Sequence, residues 1–180
     1  MNPEEKAKIF EEYRIDHFTL LKLDGYKLGS KELDSAWTND PHSEPPKYTG
    51  FGNVFAGLFG RIDRLARGKV KPEKRQSYMS ETILCAERLH ELYDKVIDFR
   101  ILDPTDSDFS VFYKTKELVG GNESPVLKAI KRIFSLCEES GFTDITNSPE
   151  YQDAFGTILK IRECMDEFDE VNFRITGKSR

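Results

Sequence analysis

Seven of the residues from Phe59 to Gln76 are basic: Arg61, Arg64, Arg67, Lys69, Lys71, Lys74 and Arg75. Only Asp63 and Glu73 oppose them. Such a stretch suits the gripping of an anion, because the guanidinium fork matches a phosphate or carboxylate and lysine adds point charge. Arg61, Arg64 and Arg67 are three apart, so on a helix they cover about 120° of one face at about 100° per residue. That face lies opposite much of the apolar stripe Val54, Leu58, Ile62 and Leu65. Phe59 is the sole aromatic inside the stretch and Tyr78 lies just beyond it. A reader of single-stranded nucleic acid interleaves aromatics with its charges, so contact with phosphate or protein fits better than base reading. The competing account is local: cations collect at a helix C-terminus because the helix dipole favours them there.

Carboxylates supply the other candidate chemistry. Glu87-x-x-His90 is half of a di-iron bundle site, which needs a second E-x-x-H that the chain lacks. Glu91-x-x-Asp94 resembles the E-x-x-D with which helical nucleoside triphosphate pyrophosphohydrolases hold Mg²⁺ around substrate phosphates. In that family an E-x-x-E precedes it; here the matching region, residues 60–76, offers only Glu73. What the resemblance implies is a Mg²⁺-dependent enzyme in which Glu87, Glu91 and Asp94 hold the metal and Arg61 or Arg64 neutralises the phosphates. Glu87, Glu91 and Asp94 are four and three apart and share one helical face. Asp106, Asp108, Ser110 and Glu117 fall on positions 1, 3, 5 and 12 of a calcium loop, but position 6 is Val111 where the sharp turn needs glycine. His17, His42 and His90 lie in no nucleophile elbow, and Gly120-Gly121-Asn122 lacks the G-K-[ST] of a phosphate loop.

These residues sit in a chain of 180, 38% hydrophobic and 33% charged, with net charge −5. Such a length supports a hydrophobic core without disulfides or metal. Outside 59–76 the net charge is −10, whereas a general nucleic-acid binder is basic overall. Cys85, Cys137 and Cys164 are isolated and read as buried free thiols of a reducing compartment. The acidic start and the lack of a long apolar run predict a cytoplasmic protein without a membrane partner.

The positioning elements read as helices. Asn2-Pro3-Glu4-Glu5 is a start signal, followed by the stripe Ile9, Phe10, Tyr13, His17, Leu20 and Leu21, which carries the helix to about residue 23. A proline-rich loop occupies 39–50. A second helix runs from Phe51 through Leu65, and a third from Pro72 to about Asp103. Ser124-Pro125 and Ser148-Pro149-Glu150 open two more. In the last, Tyr151, Ala154, Ile158, Ile161, Met165 and Phe168 keep a heptad-like rhythm, which allows a homodimer through 149–174. The fold expected is all-α, a bundle of about five helices in a single domain spanning 1–180, with room for one short strand or hairpin near 18–28 or 109–119.

The function expected is non-catalytic contact, the basic face meeting an acidic protein or a phosphate-bearing ligand. The Mg²⁺-dependent enzyme and a nucleic-acid accessory protein are the alternatives. No cofactor is expected, Mg²⁺ entering only with the enzyme.

Overall fold

The computed structural model describes the backbone of residues 1–18, 51–120 and 123–178, and their side chains except at 14–18, 51–58, 85 and 88–96. The architecture is an all-α bundle. Its helices are α1 (Pro3–Phe18), α2 (Phe51–Ala66), α3 (Arg75–Val96), α4 (Ser110–Val119), α5 (Pro125–Glu139) and α6 (Pro149–Thr176). Three 3₁₀ turns, Pro72–Lys74, Phe99–Ile101 and Ser107–Phe109, lead into or follow them. Among the described residues no helix is long and apolar enough to cross a membrane.

The helix starts follow from side chains that satisfy the free N–H groups of a first turn. Asn2 Oδ1 accepts from the Glu5 N–H at 2.8 Å, and the Glu5 carboxylate accepts from the Asn2 N–H at 3.3 Å, a reciprocal capping box. Ser124 Oγ accepts from the Leu127 N–H and Ser148 Oγ from the Tyr151 N–H, each at 3.1 Å and each followed by proline.

Two boundaries differ from the sequence expectation. The strand allowed at 109–119 is instead α4, preceded by a 3₁₀ turn whose Asp106 carboxylate accepts from the Asp108 N–H. Val111, Phe112, Thr115 and Val119 are buried, at helical spacing, and the Thr115 hydroxyl bonds back to the Val111 carbonyl at 2.8 Å. Burial on this stripe overrides the weak alternation of DFSVFYKTKEL. The third helix stops at Val96, and Asp98 caps a separate 3₁₀ turn by accepting from the Arg100 N–H. Tyr13 Oη accepts from the Asp98 N–H at 3.0 Å, and the Tyr113 hydroxyl donates to the Leu102 carbonyl at 2.5 Å, so this turn is tied to both α1 and α4. The hairpin considered near 18–28, apart from Phe18 at the end of α1, and the loop 39–50 lie outside the described residues.

The core is organised around α6, which packs against α1, α4 and α5, while α3 covers α2, α4 and α5. At the centre, Phe10 of α1 meets Phe109, Phe112 and Phe168 at ring-centroid distances of 5.8, 5.5 and 5.5 Å. Phe112 and Phe168 meet edge to face at 5.4 Å. These four rings are fully buried. Of the heptad-like residues of α6, Tyr151, Ala154, Ile158, Ile161 and Phe168 are buried in the same interior and Met165 is half-buried. Their apolar seam closes on helices of the same chain.

Phe10→Ala is expected to lower unfolding free energy by about 3–5 kcal/mol, the usual cost of removing a fully buried aromatic ring. Urea denaturation read as a shift of midpoint at constant slope measures it.

Candidate partner-binding site

The basic stretch begins on α2 and turns a corner whose shape is fixed by backbone bonds. Beyond Ala66 the Gly68 N–H donates to the Leu65 carbonyl (3.1 Å) and the Lys69 N–H to the Arg64 carbonyl (3.0 Å), with Gly68 at φ +70°. This pair of bonds is the Schellman closure of a helix end. The same closure ends α5: Gly141 at φ +68° donates to the Glu138 carbonyl and Phe142 to the Cys137 carbonyl. The two helix ends lock together. The Ile145 N–H donates to the Ala66 carbonyl at 2.8 Å, and Gly68 lies so close to the 142–145 segment that a Cβ there would stand 2.8 Å from the Phe142 carbonyl oxygen. Val70 is buried between exposed Lys69 and exposed Lys71, which directs both ammonium groups outward from one anchored residue.

The structure divides the seven cations into two groups. Arg61 is half-buried: its guanidinium lies 4.8 Å from the centre of the Tyr78 ring and pairs with Glu81 at 3.2 Å, fastening α2 to α3. Arg75 stacks over the Phe142 ring at 4.5 Å and donates to the Val70 carbonyl at 3.3 Å. Arg67 pairs with Asp63 one turn back at 3.0 Å, and that partner raises its affinity for its proton. These three therefore serve the fold first. Arg64, Lys69, Lys71 and Lys74 are exposed and carry no ion pair among the described residues. Asp144 sits beside this corner; the hydroxyl and N–H of Thr146 hold its carboxyl below the usual range, with Arg67 and Lys69 adding to the effect. Sequence spacing alone joined Arg61, Arg64 and Arg67 as one face, and the fold separates them by what each one touches.

The aromatics near the stretch are engaged too. Phe59 packs edge to face on Phe155 at 6.3 Å with the Arg162 guanidinium 5.2 Å from its ring centre, and Tyr78 lies under Arg61. Gly60 has open space where a Cβ would stand, so close approach of another helix does not require glycine there.

Among the described residues no group of three or more His, Cys, Asp or Glu is placed to hold a metal ion. Glu87 is exposed on α3. Glu91 and Asp94 follow it on the same helix, but their side chains lie outside the described residues, as do those of His17, His42 and His90. Asp106 and Asp108, candidates for a calcium loop, are occupied by cations: Lys6 Nζ is 2.6 Å from Asp106 and 2.9 Å from Asp108, and Arg174 also bonds Asp108. Cys137 and Cys164 are buried free thiols; burial pushes Cys137 up to about 11, so it is an uncharged core group.

Two expectations test this division of labour. Arg61→Ala removes a cation–π contact and an ion pair and should cost roughly 1 kcal/mol. Arg64→Ala, on the same helix, should stay within about 0.5 kcal/mol of the parent; parallel thermal melts compare them. The Asp108 carboxyl is held below its ordinary range by Arg174 and then Lys6, against the opposing effect of burial. Its folded pKa is depressed, so its contribution is present above the unfolded carboxylate pKa of about 4 and is lost as pH falls through the folded value. Asp108→Asn should therefore be less stable than the parent at neutral pH, and the gap should close as urea midpoints are followed downward from about pH 5. No protein-family model, no curated protein and no solved structure matches the chain.

Proposed function

We propose that the protein acts by non-catalytic contact, presenting the corner from Arg64 to Lys74 to an acidic or phosphorylated partner. The observation that carries this reading is the set of four exposed cations, Arg64, Lys69, Lys71 and Lys74, without ion pairs among the described residues. They stand on a corner held by two interlocked helix ends. A charged group already fixed to a rigid support loses less freedom on binding than one on a free loop, so more of the Coulomb attraction remains as affinity. Lysine ammonium groups are point charges that accept many anion geometries, and Arg64 adds one planar fork. Charge complementarity of this kind acts chiefly on encounter rate and partner choice.

Arg61 and Arg75 are excluded from the contact set, because each is engaged with an aromatic ring and a hydrogen-bond acceptor inside the fold. The two engaged aromatics beside the corner, Phe59 and Tyr78, leave the attraction to charge, which favours phosphate and carboxylate over the face of a nucleobase.

The test is fluorescence anisotropy with an acidic peptide in plain and phosphorylated form, at two salt concentrations. The triple variant Lys69→Glu, Lys71→Glu, Lys74→Glu should abolish binding while leaving the melting temperature close to the parent's, since all three side chains are exposed. Binding in the parent should weaken as salt rises. Equal binding by parent and variant would remove the corner from the contact. Stabilisation seen only with nucleotide and Mg²⁺ together would favour the enzyme through Glu87, Glu91 and Asp94 instead.

A further inference from the structure

A second region carries chemistry unrelated to the basic corner. A cleft of about 390 Å³ opens between α4, the start of α5 and α6, within the range of about 300–1,000 Å³ typical of small-molecule sites. One wall is a stripe of α4, Lys114, Glu117 and Leu118; the other is a stripe of α6, Lys160, Glu163, Cys164 and Glu167. Spacings of three, four and seven put each set on one helical face.

The charges in the cleft do not all cancel one another. Lys114 bridges the walls by pairing with Glu167, at 3.0 and 3.2 Å to its two oxygens. That removes one charge of each sign. Lys160, Glu117 and Glu163 remain, exposed and without ion pairs among the described residues. Between them the lining is uncharged: Leu118, Pro125 and Cys164. The Cys164 thiol is buried, and burial raises its pKa against the opposing hydrogen bond with Thr115, so this part of the lining stays uncharged.

A ligand complementary to this lining carries two positive charges, one negative charge and an aliphatic stem. We propose that the cleft between α4 and α6 binds a free basic amino acid of the lysine or arginine type. Its two cationic groups would meet Glu117 and Glu163, its carboxylate Lys160, and its methylenes Leu118 and Pro125. A dicarboxylic acid has the opposite balance and would face two carboxylates. A simple diamine would leave Lys160 unmatched, and a neutral amino acid would leave one carboxylate unmatched.

Isothermal titration calorimetry with L-arginine and L-lysine tests the assignment, with agmatine (no carboxylate), L-norleucine (no side-chain cation) and L-glutamate as comparators. Saturable binding is expected for arginine or lysine, severalfold weaker for agmatine and norleucine, and none for glutamate. Lys160→Gln should erase the preference for arginine over agmatine, and Glu117→Gln or Glu163→Gln should each weaken arginine severalfold. All three side chains are exposed, so these variants should keep the parent's melting temperature; Glu163→Lys provides a second, charge-reversed check. Absence of saturable binding by either basic amino acid would overturn the proposal. So would agmatine binding the parent as tightly as arginine, or arginine binding that the variants leave unchanged. Loss of the basic corner in the triple variant described above should leave this titration unaltered.

Discussion

Phe10 is the residue on which the remaining packing depends. It enters the interior from the first helix and touches Phe109, Phe112 and Phe168, so one side chain joins α1, the turn before α4, α4 and α6. Each ring is too large to move without displacing another in an interior packed like an organic crystal. The position of α1 on α6 then decides what else can meet. Lys6, one turn before Phe10, reaches Asp106 and Asp108, and Tyr13, one turn after, receives the Asp98 N–H. A single apolar side chain therefore sets the register of polar contacts on both sides of it.

At the corner between α2 and α5 the corresponding constraint is backbone, not side chain. The carbonyl of Ala66 would be an orphan at the end of α2, but the Ile145 N–H reaches it. That contact requires Gly68 to lack a Cβ and places Phe142 at φ +61°, a left-handed conformation uncommon outside glycine. The Arg75 guanidinium over the Phe142 ring covers the joint from outside. The exposed lysines of the corner owe their fixed placement to this joint, which links the backbone geometry to the contact proposed for them. The cleft between α4 and α6 is spanned by a different contact, the Lys114–Glu167 bridge across its walls.

Much of the helical layout was readable before any fold was known, and for identifiable reasons. Ser124-Pro125 and Ser148-Pro149 are caps that work over three residues, and both side chains bond the N–H three positions on. Ile9, Phe10, Ile62 and Leu65, picked by spacing, are buried. The segment 109–119 was not legible as a helix, because Phe109, Val111, Tyr113 and Thr115 also alternate. Its helical register is decided by the burial of Phe112 against Phe10 and Phe168, residues far away in the chain. The third helix was read too long for a similar reason: Phe99 continues the apolar spacing, but Asp98 caps a new turn and the Phe99 ring packs tilted against Tyr113 instead.

Composition and local spacing determine that this chain is helical, where most of its helices begin, and that its positive charge is concentrated within one short stretch. Those properties act over four or five residues: capping, the 3.6-residue period and the dipole at a helix end. The sequence could not say which cations are engaged by partners inside the fold. Arg61, Arg67 and Arg75 differ from Arg64 only through Tyr78, Glu81, Asp63, Phe142 and Val70, and most of those contacts exist only after helices have met. Nor could it bring Glu117 and Glu163 to one cleft, since the two belong to different helices that only tertiary packing brings together. The fate of a charge depends on what lies within a few ångströms of it, and for most of these side chains that neighbour comes from elsewhere in the chain.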